Sequence, residues 1–264
     1  NQLNLKGGDI MPSNDPSQIT LILVLVAIIT ICVILCIVKI QSELKDMNER
    51  VNYKLESMGK DFGPTQKLKD YHVSGARGGV GMTTIAYASI NRSGISFNKQ
   101  LWLRDEIVPA LRDLTDAVHN EGAAVGIQLG HCGNMTHWST AGSFPVSASN
   151  GFNLYSPTIH RRLKVSEIKT LVKKFGESVD FARKAGFDCV EIHAGHAYLI
   201  SQFISPRTNH RRDEYGGSFE NRVRFMNEVL EEVMKHAGDD MAIVVKTNMW
   251  DDCWRGSDIE EGIK

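Results

Sequence analysis

Strand-like and helix-like segments alternate along the chain from about residue 65 onward, and this alternation limits the possible folds more than any other feature. Short β-branched apolar runs precede longer segments in which apolar residues recur every three or four positions. The predicted strands are Met82 to Ser89, Ala123 to Leu129, Phe187 to His193 and Met241 to Thr247; the predicted helices run from about Arg104 to Asn120, from an N-cap at Ser166 to Gly186, and from an N-cap at Ser218 to Gly238. This order predicts a parallel sheet with helices outside it, open or closed into a barrel.

Polar side chains near the strand ends favour the barrel. Gln128, His193 and Lys246 each lie near the C-terminal end of a predicted strand, in period-2 alternation with apolar residues. Active sites of (β/α)8 barrels lie at this end of the strands. We therefore predict an α/β fold, a partial (β/α)8 TIM barrel with about four of its eight strands, in which these three side chains converge.

A separate apolar run lies near the start of the chain. Residues 19–38 are 20 consecutive residues without a charge, which is the length of a helix that spans a bilayer. The run predicts a transmembrane helix ahead of the barrel and therefore a membrane as one partner. We divide the chain into an extramembrane segment (1–18), the transmembrane helix (19–40), a helical neck and linker (41–64) and the incomplete barrel domain (65–264).

Basic residues set the expected orientation of this span. Lys6 alone precedes the run, whereas five follow it closely, namely Lys39, Lys45, Arg50, Lys54 and Lys60. Basic loops stay on the cytoplasmic side, so we expect a single-pass membrane protein with a cytosolic C-terminal domain. The alternative is a cytoplasmic protein to whose sequence the N-terminal run is misjoined.

The overall charge excludes some classes of partner. The chain carries 30 basic and 31 acidic side chains, so nothing in it predicts binding to nucleic acid. Its 5 cysteines are too widely spaced for a disulfide scaffold and are typical of a reducing compartment.

The residues after the third predicted strand could form a catalytic site. His193, His196 and Tyr198 can face one pocket if the chain leaves the strand at Ala194–Gly195, where glycine permits a bend. Neutral imidazoles can donate hydrogen bonds to a carbonyl oxygen that gains negative charge, and a phenol can deliver a proton to carbon. Two other interpretations remain open: a buried structural His193 with an exposed His196, and a zinc-chelating pair. The second lacks the acidic partner and helical spacing of the familiar zinc motif, and we predict no metal.

Several motifs resemble the old yellow enzyme family of flavin oxidoreductases. The longest is the loop that contains Ser205-Pro206-Arg207, Asn209, Arg211, Asp213, Tyr215-Gly216-Gly217-Ser218 and Asn221-Arg222; the others are Ala76 to Gly81 with Met82 to Ser89, Gln128 to Gly133, and Val244 to Asn248. The His-x-x-His-x-Tyr-Leu form is similar to the family's 2,4-dienoyl-CoA reductase and NADH:flavin oxidoreductase branch. The resemblance covers about residues 68–264.

The resemblance implies an FMN-dependent oxidoreductase that uses NAD(P)H to reduce an activated C=C bond in a small unsaturated carbonyl compound. Gln128 would bind the pyrimidine edge of the flavin, Lys246 would lie near N1 and O2, and the backbone of Tyr87 would contact the ring. His193 and His196 would bind the substrate carbonyl, and Tyr198 would protonate carbon.

The sequence also departs from the family pattern. Asn134 stands where the family usually has arginine, and Lys246 stands where many members have arginine. The family's first strand and its last three strands have no counterpart here. We expect four strands alone to leave two open sheet edges and to lack the phosphate half of the FMN site. The alternative function is a membrane-anchored, inactive remnant or binding module of the same fold.

Overall fold

The computed structural model describes residues 62–251 and 253–263, together with Thr20, Leu21, Lys39 and the ranges 23–26 and 28–35. The chain divides into two units, Asn1–Tyr53 and Lys54–Lys264, and every element named below belongs to the second. The predicted segments 1–18 and 41–61 lie outside the described residues, and the predicted domain boundaries stay a prediction.

The predicted transmembrane helix is contradicted. Among the described residues, no helix is both long and apolar enough to cross a bilayer. The single-pass membrane placement predicted for 19–40 is therefore wrong, and the membrane predicted as a partner has no support.

Four parallel strands form the main sheet in the order β1-β2-β6-β7. Their bounds are Met82–Ser89 (β1), Ala124–Gly130 (β2), Cys189–Ala194 (β6) and Ala242–Thr247 (β7). All four agree with the predicted strands to within two residues. In this register Gln128 pairs with Glu191, and His193 pairs with Lys246. Directly paired residues share a face, so these four side chains lie on one face of the sheet, called here the site face.

Amphipathic helices cover the opposite face of the sheet. The helices of the second unit are Gln66–Arg77 (α1), Val108–His119 (α2), Trp138–Ala141 (α3), Val165–Lys184 (α4), Leu199–Ile204 (α5), Phe219–Ala237 (α6) and Ile259–Ile263 (α7). The alternate apolar residues of the strands and the inner stripes of the helices form one buried core, which includes Ile85, Ile127, Ile192, Leu114, Phe175 and Val229. The strand residues that alternate with these core residues therefore lie on the site face.

A second sheet, which the sequence analysis did not predict, lies between β2 and α4. It consists of Val146–Ser147 (β3), Gly151–Asn153 (β4) and Thr158–Arg162 (β5), with β5 in the middle, parallel to β3 and antiparallel to β4. The β4–β5 hairpin exposes apolar side chains instead of burying them, as Phe152 and Tyr155 show.

One predicted helix start is wrong by two residues. Lys164, and not Ser166, is the N-cap of α4. The Glu167 carboxylate accepts a hydrogen bond from the Lys164 N–H at 2.8 Å, while the Arg161 guanidinium holds Glu167 through two bonds of 2.7 and 2.8 Å. The capping interaction therefore comes from the third residue of the helix. The predicted N-cap Ser218 is confirmed, because its side chain accepts from the Asn221 N–H.

The sheet is part of a barrel and not a closed one. β1 and β7 are its two edges, and the side chains of β7 are mostly exposed, with Val244 44% accessible. Parallel strands are ordinarily covered on both faces, so the exposure of β7 marks the side on which the described sheet is uncovered.

Candidate active site

Four rings meet at the C-terminal ends of β1 and β6. The ring centroid of His193 lies 4.8 Å from that of Tyr198, 5.1 Å from that of His196 and 5.9 Å from that of Tyr87, and the centroids of Tyr87 and Tyr198 are 5.1 Å apart. The structure therefore brings together all three predicted catalytic side chains. Tyr87 joins them through its side chain, although only its backbone was expected to take part.

The loop after β6 presents His196 through an unusual backbone. His196 and Ala197 both adopt left-handed conformations, with φ of 54° and 57°. Such a conformation costs a non-glycine residue about 1–2 kcal/mol. The strand ends at Ala194, as predicted, and the left-handed residues follow Gly195. Gly195 serves another purpose: a Cβ there would lie 2.8 Å from Asn248 Oδ1, so only glycine leaves room for that side chain.

Two amides hold this loop in place. Asn248, directly after β7, accepts a hydrogen bond from the His196 N–H at 3.1 Å. Gln202, a buried residue of α5, donates from Nε2 to the Ala197 carbonyl at 2.6 Å. The left-handed pair is therefore fixed by one contact from a neighbouring strand and one from the following helix.

Burial sets the protonation of the ring cluster. It lowers the pKa of His193 to about 4, helped by the nearby His196 and Lys246, so His193 is neutral at pH 7. Its Nδ1 is buried and has no hydrogen-bond partner among the described residues. Burial also raises the pKa of Tyr198, which keeps its phenol protonated. The Tyr198 hydroxyl reaches Ser96 Oγ only at 3.5 Å, so this hydrogen bond is weak.

The strand β2 carries two glycines on the site face. Gly126 and Gly130 flank Gln128 there, and Ala124 lies on the same face at the start of the strand. A Cβ at Gly130 would lie 2.9 Å from the Tyr87 ring and 3.3 Å from His193 Cβ. Gln128 is buried, and its Nε2 donates to the Glu191 carboxylate, which orients the amide.

Lys246 and Tyr87 flank this surface. Lys246 lies on the edge strand β7 beside His193 and is exposed. Tyr87 follows a register shift in β1 between Ile85 and Ala88, which turns its ring toward Gly130. Its hydroxyl donates to the Gly94 carbonyl at 2.8 Å, and its own carbonyl accepts from Gln100 Nε2 at 3.1 Å.

Comparison with known proteins places this arrangement in a family. The model of the NADH:flavin oxidoreductase / NADH oxidase family matches residues 47–264. The chain is 34% identical over 196 residues to a 4,4'-dithiodibutanoate disulfide reductase of Rhodococcus erythropolis, covering 74% of this chain and 49% of that protein. The chain belongs to the NADH:flavin oxidoreductase / NADH oxidase family.

Solved structures agree with the sequence match. The old yellow enzyme homologue from Zymomonas mobilis superposes with a TM-score of 0.66 at 32% identity, over 72% of this chain and 56% of that one. Morphinone reductase in complex with tetrahydroNAD superposes with a TM-score of 0.71 at 27% identity, over 78% and 61% respectively. The chain thus spans about half to three fifths of the length of these three relatives.

Family membership confirms the old yellow enzyme resemblance. The family and these relatives are oxidoreductases by name, which supports the predicted enzyme class and the predicted FMN and NAD(P)H. Because the chain spans only part of their length, its own activity and cofactors stay proposals. The inactive binding module is not favoured by these matches. The 2,4-dienoyl-CoA reductase branch stays a prediction, as do the roles of individual site residues.

The residues present fit an FMN ring. The Gln128 amide offers a donor and an acceptor, which match the alternating N–H and C=O groups of a pyrimidine edge. The Lys246 ammonium offers a positive charge on the same face. Among the described residues, no group of three or more His, Cys, Asp or Glu could hold a metal ion.

Sequence reasoning missed the residues that support this site. Gln202, Asn248, Ser96 and Glu191 hold or face the predicted side chains but were not predicted to do so. Of these four, only Gln202 could be predicted from nearby sequence. It lies four residues after Tyr198, and residues four apart on a helix are neighbours, so its side chain lies next to the loop. The other three contacts join elements distant in sequence.

Proposed function

We propose that this protein is an FMN-dependent oxidoreductase that uses NAD(P)H to reduce an activated C=C bond in an unsaturated carbonyl compound. The supporting observation is the ring cluster: a neutral, buried His193 with an unpartnered Nδ1 lies between His196 and a protonated Tyr198. The spacing of these three residues also supports assignment to the 2,4-dienoyl-CoA reductase branch.

Gln128, Lys246 and Tyr87 would hold the cofactor. Gln128 would bind the pyrimidine edge through its oriented amide, and the charge of Lys246 would favour electron density on the ring. The backbone of Tyr87 would contact the ring, while its side chain lies over Gly130. When bound, FMN supplies the hydride-transfer chemistry between NAD(P)H and the double bond.

The histidines and the tyrosine act on the substrate. His193 and His196 donate hydrogen bonds to its carbonyl oxygen, which gains negative charge as the double bond is reduced. A neutral His193 suits this task because it binds the oxygen without surrendering a full proton. Tyr198 gives its phenolic proton to the α carbon, and solvent returns a proton to the phenolate.

Replacement of Tyr198 by phenylalanine in the full-length protein tests this assignment. We expect Tyr198→Phe to slow reduction of an enone by about 100-fold or more, since general acid catalysis of this kind contributes about 10² to 10⁴. The rate at which NAD(P)H bleaches the flavin should change little, because that half-reaction needs no proton from Tyr198. Stopped-flow absorbance measures the two half-reactions separately.

Tyr71→Phe is the matched control, because it removes the same hydroxyl from an exposed position on α1. Both half-reactions of this variant should match wild type. If Tyr198→Phe slows the two half-reactions equally, or neither of them, Tyr198 is not the proton donor.

A further inference from the structure

A cavity of about 790 Å³ lies beside the ring cluster and includes His196 and Asn248 in its wall. We call it the site cavity. A second cavity of about 790 Å³, the tail cavity, is lined by Ser149, Asn150, Arg161, Arg162, Lys164, Glu167 and His210. The two cavities share Asn150 and His210, so they lie side by side. One extended ligand can therefore occupy both.

The walls of the two cavities differ in character. The β4–β5 hairpin gives the site cavity Phe152, Leu154 and Tyr155, and Trp254 lines it as well. All four side chains are more than half exposed, from 57% for Phe152 to 90% for Tyr155. The tail cavity has no Phe, Tyr, Trp or large aliphatic residue in its lining. A ligand that fits both has an apolar or planar part near His196 and a polar end in the tail cavity.

The charges of the tail cavity do not cancel. Arg161 binds Glu167 through two hydrogen bonds, and this contact lowers the pKa of Glu167 to about 2, so the one carboxylate in the lining is already paired. Arg162 and Lys164 donate no side-chain hydrogen bond to a described residue, and both are exposed. The nearby carboxylate of Asp213 is committed to Arg211 at 2.7 Å. Lys164 and Arg162 interact with Glu167 and Asp213 through charge alone, so no hydrogen bond to a described residue keeps either side chain from binding an anion.

We propose that the tail cavity binds a phosphate group of an extended ligand whose reacting end lies at His196. Arginine and lysine side chains are the usual phosphate ligands, arginine through its planar fork and lysine as a point charge. A small enone would leave this cavity empty. The proposal rests on the proposed function for the reacting end, and it narrows the ligand class to phosphate esters, whether a nicotinamide dinucleotide or an unsaturated acyl-CoA thioester.

Equilibrium binding to the oxidised, FMN-loaded full-length protein tests the proposal. The probes are tetrahydroNADP and tetrahydroNAD, which cannot give up hydride, crotonyl-CoA, and phosphate-free cyclohexenone. The double variant Arg162→Gln/Lys164→Gln should bind at least one phosphate-bearing probe about 10-fold or more weakly, since each lost charge-assisted hydrogen bond is worth about a factor of ten. Cyclohexenone affinity should stay within about twofold. Lys173→Gln, an exposed lysine elsewhere on α4, is the control and should change no affinity.

The pattern of losses identifies the phosphate source. A loss for tetrahydroNADP that exceeds that for tetrahydroNAD points to the 2′-phosphate, equal losses point to the pyrophosphate, and a loss for crotonyl-CoA alone points to a thioester substrate. Unchanged affinity for all three phosphate-bearing probes overturns the proposal, and so does an equal loss for cyclohexenone or in the Lys173→Gln control. Because binding is measured without turnover, a phosphate-specific loss supports the tail cavity even if Tyr198→Phe disproves the proposed chemistry.

Discussion

The buried amide of Gln202 is expected to contribute more to the site than any other supporting residue. Its Nε2 lies 2.6 Å from the Ala197 carbonyl, 2.9 Å from Asn134 Oδ1 and 3.2 Å from the Cys132 carbonyl, and its Oε1 lies 3.3 Å from the Asn134 N–H. An amide nitrogen carries two hydrogens, so at most three of these four bonds are fully made at once.

These contacts set the expected cost of Gln202→Ala. Three hydrogen bonds at about 1 kcal/mol each, together with the buried oxygens left without a donor, give a loss of about 3–5 kcal/mol in the free energy of unfolding. The Ala197 carbonyl is among those oxygens. Without its contact the left-handed pair can relax toward ordinary backbone, which would relieve about 1–2 kcal/mol per residue and move His196 away from His193. We therefore also expect weaker binding of a phenolate ligand, whose oxygen takes the place of the substrate carbonyl oxygen.

Two measurements on the full-length protein check this. Denaturant unfolding gives the loss in the free energy of unfolding. The charge-transfer absorbance of bound phenolate gives the binding affinity, measured without denaturant, where the variant is folded. Gln66→Ala removes an exposed glutamine whose side chain bonds only Asp70 among the described residues, and it should cost less than about 0.5 kcal/mol. A loss below about 1 kcal/mol for Gln202→Ala, or unaltered phenolate affinity in a destabilised variant, would show that Gln202 does not hold the loop.

Two further predictions concern pH and packing. Burial lowers the folded-state pKa of both His193 and His131 from 6.5 to about 4, so the folded protein binds fewer protons than the unfolded chain between these pH values. The free energy of unfolding should therefore fall as pH drops from about 6.5 toward 4. His193→Ala should make this pH dependence less steep, as measured by urea titrations across the range. An unchanged slope would mean that His193 titrates normally. Gly130→Ala places a Cβ 2.9 Å from the Tyr87 ring, which should cost about 1–3 kcal/mol of stability and lower the FMN content of the purified protein. Gly81→Ala is the control, because a Cβ at Gly81 would lie in open space.

The main sheet could be predicted because its information is local. β-branched runs with period-2 alternation mark strands wherever one face packs on helices, and that condition holds for β1, β2 and β6. The same alternation correctly put Gln128, His193 and Lys246 on one face. The small sheet escaped prediction because β3 and β4 have only 2 and 3 residues, and because its hairpin exposes Phe152 and Ile159. Such short strands have no periodicity to detect.

The N-terminal run shows the limit of hydropathy as evidence. Twenty uncharged residues satisfy the length requirement for a bilayer span, but length and composition alone cannot establish a continuous helix. The described part of the run contains no helix that meets both conditions. In the site, by contrast, the order of His193, His196 and Tyr198 correctly predicted that the three rings meet, because the end of β6 and the short loop after it keep them close.

The conformation of that loop, however, depends on residues far away in the sequence. Gly195 could adopt a positive φ without steric cost, yet the residues with positive φ are His196 and Ala197, and their immediate sequence neighbours do not offset that cost. The contacts that compensate them come from Asn248, 52 residues further along, and from Gln202 on the next helix. Since Asn248 directly follows β7 and β7 pairs with β6, the geometry of His196 depends on the pairing of these two strands. A change that loosens β7 at its exposed edge should therefore disturb substrate binding at His196 as well as the charge that Lys246 presents on the site face.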